Sequence, residues 1–354
     1  GHGKLVILSA KRHMGTSWSR KIGEGNSWAR EWTPEQVSGC ILKTVLEAAQ
    51  TRFGTDPQHV VITVPASFGS EARSATLRAA KLAGFNLKRA RLFDEPTAAL
   101  LDQITREQEQ SVGEERLLIV DIGGGTLDSS LIRMKPVGSR AHIDILGRSR
   151  YNELAGDDFD MNLAGLLLYY FEDKRGKVTL AEHRFPLFSE LLYRAEKAKI
   201  ALSEMDSTEN RDSFAKDYVD ITVHRTPDGR PWEHRVTIDD LRMAMSEFFP
   251  FKKKLEDRQR DLTFFRPIEE CLESSKLVLE GKPCAVEDVN RIYLTGGSAS
   301  LTIMKRAVNK RFGKEARTVA QPMHAVALGA ARYAAMIAGI DPVALVAQDR
   351  LLEG

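Results

Sequence analysis

Apolar and polar positions along the chain fall into two alternating kinds of segment. Continuous apolar runs rich in β-branched residues and bounded by glycine or proline predict strands buried on both faces. Such runs are Val60-Val61-Ile62-Thr63-Val64 before Pro65, Leu117 to Val120 before Asp121 and three glycines, and Val289 to Thr295 before Gly296-Gly297-Ser298. Lys4 to Leu8 opens the chain as a similar apolar strand, and its abrupt start reads as a chain begun inside a domain. Between these runs the spacing is helical. Thr33-Pro34-Glu35-Gln36 is a capping signal, with Thr33 as N-cap and Pro34 at the first helical position. Val37, Ile41, Leu42, Val45, Leu46 and Ala49 carry the helix to about Phe53, and Gly54 ends it. Ser70 to Ala83 predicts a second helix stopped by Gly84.

A short strand at Arg89 to Phe93 then delivers Asp94-Glu95-Pro96-Thr97, and a helix is predicted from Ala98 to Ile104. Thr105 to Arg116 is polar and reads as a linker between two halves. Ser129 to Met134 and Ile143 to Leu146 extend the central strand into a meander. Gly156 opens a helix with Asp157, Asp158 and Asp160 near its start, where the macrodipole favours acids, and Leu163 to Phe171 supply its apolar face. Further helices are predicted at Glu190 to Ser203, Pro267 to Leu279, Ile303 to Phe312 and Ala325 to Ala338. Tyr218 to Val223 and Glu233 to Ile238 form a hairpin around Pro227-Asp228-Gly229. Trp18, Trp28 and Trp32 fall in a glycine- and serine-rich loop or hairpin, and Lys252 to Asp261 mixes signs as a solvated helix face.

Length makes this pattern a two-domain one, since 354 residues exceed what one core usually supports. With 42% hydrophobic and 28% charged residues the composition is that of a globular protein, and the apolar runs fall far short of a membrane span. The net charge of +2 provides no global field for gripping nucleic acid or anionic lipid. Cys40, Cys271 and Cys284 lie far apart without metal-ligand spacing, so they are expected to be reduced, structural thiols in a cytoplasmic compartment.

The chemistry concentrates at strand ends. Asp121-Ile122-Gly123-Gly124-Gly125-Thr126-Leu127-Asp128 reads either as a plain hairpin turn or as a loop whose amides meet a phosphate, with Asp121 holding a hydrated divalent cation or orienting water. Thr295-Gly296-Gly297-Ser298 repeats the device far along the chain, and Glu95 is a third strand-end acid. Ligands of open α/β sheets collect beyond the carboxyl ends of strands, so the repeat argues for a cleft. Lys11-Arg12 reads as a pair of solvated cations, and Glu196, Lys199 and Ser203 as a surface stripe at helical spacing.

The stretches VVITVPASFGSEARSATLRAAKLAG, LFDEPTAALL, LLIVDIGGGTLDSSLI, LAGDDFD, RAEKAKIALS, LTGGS and AVALGAARYAA, in this order and spacing, resemble the nucleotide-binding domain of the 70-kDa heat-shock (DnaK-like) chaperones over nearly the whole chain. The resemblance implies an α/β actin-like ATPase fold. In it two lobes, each a ribonuclease-H-like subdomain with a smaller insert, close on ATP or ADP with Mg2+. It divides the chain into a remnant of the lobe I insert (1–33), the lobe I core (34–115), a first part of the lobe II core (116–154), the lobe II insert (155–265), a second part of the lobe II core (266–340) and a tail (341–354). It implies that Lys11 contacts the γ-phosphate and attacking water, that Glu95 arranges the water shell of magnesium, and that Asp121 positions magnesium or the attacking water, with Asp128 the second acid. Gly123, Gly124, Gly125 and Thr126 would surround the phosphates and Gly156 the ribose side. Glu196, Lys199, Ser203, Gly296, Gly297 and Ser298 would contact adenosine, and Pro65 and Arg73 would relay nucleotide state between domains.

The chain departs from the family pattern at two places. Ile200 and Ser300 stand where two arginines sandwich the purine, and Met323 replaces an acid near the base edge. Losing two stacking cations is expected to weaken binding by roughly ten- to a thousandfold. The family's acid-bearing first phosphate loop has no counterpart before Lys11, so the fold is expected to be N-terminally incomplete and phosphoryl transfer impaired. The resemblance thus implies the ATP-hydrolysing part of a chaperone, weakly active or inactive as this piece. Unfolded-protein clients and co-chaperones would bind through parts outside the chain, with neither nucleic acid nor membrane as partner. A degenerate, non-hydrolysing scaffold is the other reading.

Overall fold

The computed structural model describes residues 7, 9–23, 29–107, 113–137, 140–150, 154–207, 217–249, 264–340 and 345–348. The strand expected at Lys4 to Leu8, apart from Ile7, lies outside them, as do Trp28, the Lys252 to Asp261 face and most of the tail. After a 3-10 turn at Ala10–His13 come an antiparallel hairpin of β1 (Arg20–Ile22) and β2 (Arg30–Trp32), helix α1 (Pro34–Phe53), β3 (Val60–Val64), α2 (Ser70–Ala83), β4 (Ala90–Asp94) and α3 (Glu95–Glu107). α1 forms where its cap predicts: Thr33 accepts from the Gln36 amide at 3.4 Å while Gln36 accepts from the Thr33 amide at 3.1 Å. β3 and β4 pair in parallel, and Val64, Phe68, Ala75, Ala79 and Met14 form a small core beneath them.

The larger layer is a six-stranded sheet in the order β11-β10-β5-β6-β7-β12. Its strands are β5 (Glu115–Ile122), β6 (Leu127–Val137), β7 (Arg140–Arg148), β10 (Arg291–Thr295), β11 (Ala316–Thr318) and β12 (Leu345–Gln348). β5, β6 and β7 form the expected antiparallel meander, and β10 runs parallel to β5. On one face pack α4 (Gly156–Arg175), α5 (Ala181–Ser207), the hairpin of β8 (Tyr218–Val223) and β9 (Trp232–Thr237), α6 (Ile238–Met245), α7 (Arg266–Ser274) and α8 (Thr302–Phe312). On the other lie α3 and α9 (Ala325–Ile337), so that Ala99, Leu100 and Ala325 share a core with Leu117, Ile119, Ile132 and Tyr293. α9 also touches β3, and this helix pair therefore joins the two sheets. Among the described residues no helix is long and apolar enough to cross a membrane.

Three expectations need correction. α3 begins at Glu95, directly after β4, because Pro96 sits in the first turn where its missing N–H costs nothing, and it runs on to Glu107 into the expected linker. α5 begins at Ala181 in spite of Pro186, since Leu187 and Leu191 are fully buried in the core and hold the extra turns. Cys271 and Cys284 are buried as expected of structural thiols, whereas Cys40 is exposed on α1.

Candidate functional site

Strand register brings the acids together. Asp121 and Asp128 stand directly opposite each other in β5 and β6, and Thr295 of β10 stands beside Asp121 on the other side. Like charges placed opposite one another repel, and both carboxylates are buried here. Burial first, then the charges of Glu95 and Asp128, push Asp121 up to about 8, with the Lys11 ammonium opposing. Burial pushes Asp128 up to about 6, although Ser67 resists by donating to it through both hydroxyl and amide. Glu95, at the start of α3, accepts from Lys11 Nζ at 2.7 Å. Burial works against the ammonium, yet Glu95 together with the charges of Asp121 and Asp128 raises Lys11 above its ordinary value. The four predicted catalytic side chains are thus one electrostatic unit.

The glycines frame this unit. Gly123 donates to Thr126 O at 3.0 Å, which closes the turn after β5. α4 docks on the turn through its own N-terminus, with the amides of Gly156 and Asp157 donating to the carbonyls of Gly123 and Gly124 at 3.1 and 2.7 Å. Among the described residues the amides of Gly124 and Gly125 make no backbone hydrogen bond outside regular elements, so they are donors suited to an anion. Gly296 has φ of +86°, and a Cβ there would lie 2.4 Å from Ile122 O and 2.5 Å from Asp121 Oδ1. Only glycine lets this turn pass so close to the acid. Ser298 Oγ donates to Gly123 O at 3.3 Å, and a Cβ on Gly156 would meet that hydroxyl at 2.6 Å. The two strand-end turns therefore meet at one place, as their shared design predicts.

The remaining predicted residues are placed less uniformly. Lys199 is buried and donates to Gly156 O at 3.1 Å and to Asp160 Oδ2 at 2.8 Å, and Ser203 Oγ donates to Ser300 O at 3.1 Å. Of the expected surface stripe, Glu196 alone is exposed. Ile200 is 43% exposed and Met323 72%, and Met323 Sδ lies 2.9 Å from where a Gly297 Cβ would stand. Arg73 donates to Phe68 O at 2.8 Å and to Asp94 at 2.7 Å, while Pro65 O accepts from the Phe68 amide at 3.1 Å.

The sequence assigns no role to Ser67, Asp94 or Arg148, and it gives Arg12 only as a solvated cation. Arg12 is not solvated but donates to Asp158 Oδ2 at 3.2 Å at the start of α4, beside Ser9, whose hydroxyl donates to Asp157 at 3.0 Å. Only Asp94 carried a signal, as an acid at a strand end next to Glu95.

Oxygen donors of this kind suit a hard divalent cation. Among the described residues no cluster of three or more His, Cys, Asp or Glu could cage a metal by itself, while the bonds from Lys11 and Ser67 go to Glu95 and Asp128 beside Asp121. The donor set fits a cation held by Asp121 and otherwise by water and phosphate.

A family profile described as Hsp70 protein matches residues 4–226 and 251–349. The chain belongs to the Hsp70 family. Among curated Hsp70 proteins it is 32% identical over 336 residues to the chaperone protein DnaK of Thermotoga petrophila, covering 95% of this chain and 50% of that one. It is 33% identical over 334 residues to the chaperone protein DnaK of Thermosipho melanesiensis, covering 94% of this chain and 49% of that one. The chain spans about half the length of these Hsp70 relatives. The mixed α/β architecture, with helices on both faces of a multi-stranded sheet, agrees with the actin-like ATPase fold expected of an Hsp70 nucleotide-binding domain.

Proposed function

We propose that this chain is the nucleotide-binding part of an Hsp70-type molecular chaperone that, when intact, binds Mg-ATP in the cleft and hydrolyses it to ADP, this piece by itself being weakly active or inactive. The observation that carries the reading is the single charge unit of Lys11, Glu95, Asp121 and Asp128 beside the Gly123–Gly125 turn. The amides of Gly124 and Gly125, with Thr126, would hold the phosphates, and Gly296, Gly297 and Ser298 with Gly156 would line the nucleoside side. Magnesium, held by Asp121 and by Glu95 through water, would neutralise charge on the terminal phosphates when bound. Lys11 turns its ammonium toward the γ-phosphate, Asp121 accepts a hydrogen bond from the attacking water, and Ser67 keeps Asp128 fixed. Phosphoryl transfer depends on such positioning and charge neutralisation. The division into two lobes with inserts, the relay through Pro65 and Arg73, the cytoplasmic location, and clients and co-chaperones held by parts beyond this chain belong to the same proposal.

Phosphate release is the test. In the full-length protein Asp121→Asn is expected to lower turnover by about a hundredfold or more; equal rates would end the hydrolytic reading. A second reading, a domain that holds nucleotide weakly without turnover, is favoured by the apolar Ile200 and Met323 at the nucleoside end. Titration calorimetry separates the two, because tight magnesium-dependent ATP binding removes the second.

A further inference from the structure

Arg148 ends β7, and an irregularity just before it decides what it reaches. Residues opposite each other in β6 and β7 share a face, Met134 with Ile143 and Ile132 with Ile145. Ile132, Met134 and Ile143 lie in the core against α3 and α9, whereas Leu146 lies in the core on the α4 and α7 side. Between Leu131 and Ile132 the register slips, so that Leu131 stands opposite Gly147 and Leu146 is skipped. Leu131 belongs to the α4-side core, and a Cβ on Gly147 would lie 2.2 Å from Cys271 O and 2.9 Å from Ser274 Oγ of α7. Gly147 therefore faces α7, directly after a residue that already faces that side. One residue has been inserted, and the alternation inverts beyond it. In regular register Arg148 would follow Leu146 into the apolar core; after the bulge it leaves on the α3 side, where β4 ends.

There Arg148 Nη2 donates to Asp94 Oδ2 at 2.5 Å. Asp94 is buried and takes Arg73 Nη2 on its other oxygen at 2.7 Å. Ser274 Oγ accepts from the Arg148 amide at 2.9 Å and braces the backbone behind the side chain. One carboxylate thus joins a guanidinium from α2 to another from the central sheet. Asp94 immediately precedes Glu95, and Arg73 also holds the carbonyls of Phe68 and Ala66 in the loop that carries Pro65 and Ser67. A buried carboxylate between two fixed guanidinium groups has few positions open to it.

Resting on the nucleotide-cleft reading, we infer that Arg148 is a positioning residue, the central-sheet half of a latch on Asp94. The latch fixes Glu95 against Asp121 by holding the residue that immediately precedes it. Removing Arg148 leaves Asp94 paired with Arg73, so the β3–β4 layer keeps its own support while the central sheet loses its hold on Asp94 and keeps the Ser67–Asp128 bond and the α3–α9 packing.

The test uses spin labels on the exposed Cys40 of α1 and on a Tyr193→Cys variant in α5, read by double electron–electron resonance in the full chain without nucleotide. Arg148→Ala is expected to broaden the interlayer distance distribution, and Arg148→Lys to narrow it again. In turnover, Arg148→Ala is expected to lower kcat about tenfold while KM stays within about threefold, a split that general loss of structure does not produce. Arg148→Ala combined with Asp94→Asn should cost less than the two changes summed. An unchanged distance distribution overturns the latch, as do strictly additive effects. Should Arg148→Ala fail to fold, Asp94→Asn alone, which leaves one acceptor oxygen for two guanidinium groups and sets an NH2 donor in place of the other, decides by the same distance reading. A chain that binds no nucleotide overturns the cleft reading instead and leaves the distance measurement to judge the latch.

Discussion

Asp121 and Asp128 face each other across two buried strands, an arrangement that costs the ligand-free fold stability. An acid whose pKa is raised by folding binds its proton more tightly in the folded state, so its contribution is complete at low pH and is lost as pH rises. Here the loss spans the range from the ordinary carboxylate value near 4 through about 6 for Asp128 and about 8 for Asp121. Asp121→Asn removes the larger share. The ligand-free variant is expected to melt on the order of 2–6 °C higher than the parent at pH 8.5 and nearly level with it at pH 5. Calorimetric melts at the two pH values check this, and a gain independent of pH contradicts it. Glu95 and Asp121 were legible in the sequence because each follows or ends an apolar run that forms a strand, whereas Lys11, a solvated cation on the residues alone, was singled out by the family resemblance. Ser67 and Arg12 were not legible, since a serine in a turn and an arginine in a short 3-10 turn acquire partners only when distant segments meet.

Elements were legible where local chemistry decides them. The box at Thr33 and the stop at Gly54 fix α1 within the chain itself, with Gly54 in the left-handed region at φ +70°. Limits set by tertiary packing escaped: the bulge in β7 and the turns of α5 before Glu190. The pairing of α5 with α4 belongs to the same class. Lys199 looked like a surface residue, yet it lies buried against Asp160 and Gly156 O. Burial raises Asp160 above the usual carboxylate range in spite of the ammonium beside it, so the pair sits where neither charge is well tolerated alone. Lys199→Met leaves Asp160 unpaired and is expected to destabilise the chain by about 3–5 kcal/mol, while Lys199→Met with Asp160→Leu recovers most of it. Urea denaturation of the parent, single and double variants checks this; equal loss in single and double variants would mean that the ion pair itself, rather than its disruption, carries the stability.

At the scale of the whole molecule, the relation between Glu95 and Asp121 depends on how α3 is seated, because Glu95 opens that helix while Asp121 belongs to the sheet. α9 provides the seat. A Cβ on Gly329 would lie 1.7 Å from Ala98 O, a backbone atom that cannot yield, so the two helices are in direct backbone contact at this turn. The contact is reinforced on either side by the Phe93–Tyr333 stack, with ring centroids 4.1 Å apart, and by Arg332 donating to the buried Asp102 at 3.0 Å. Gly329→Ala must push α9 away from α3 and loosen both contacts. The expected cost is about 2–4 kcal/mol, the range of overpacked and broken buried contacts. The more telling expectation concerns the site, which Gly329 does not touch. As α3 shifts, Lys11 and Glu95 move relative to Asp121, and a displacement of about 1 Å is enough to cost on the order of a hundredfold in a positioned reaction. Nucleotide affinity and turnover of the folded variant should therefore fall together with its stability. Hydrogen exchange is expected to show lost protection in α3, β3 and β4 while β5 and β6 stay protected. A variant that melts early yet keeps the parent's affinity and turnover while folded would mean that the strand ends hold the acids in place without help from the helix pair.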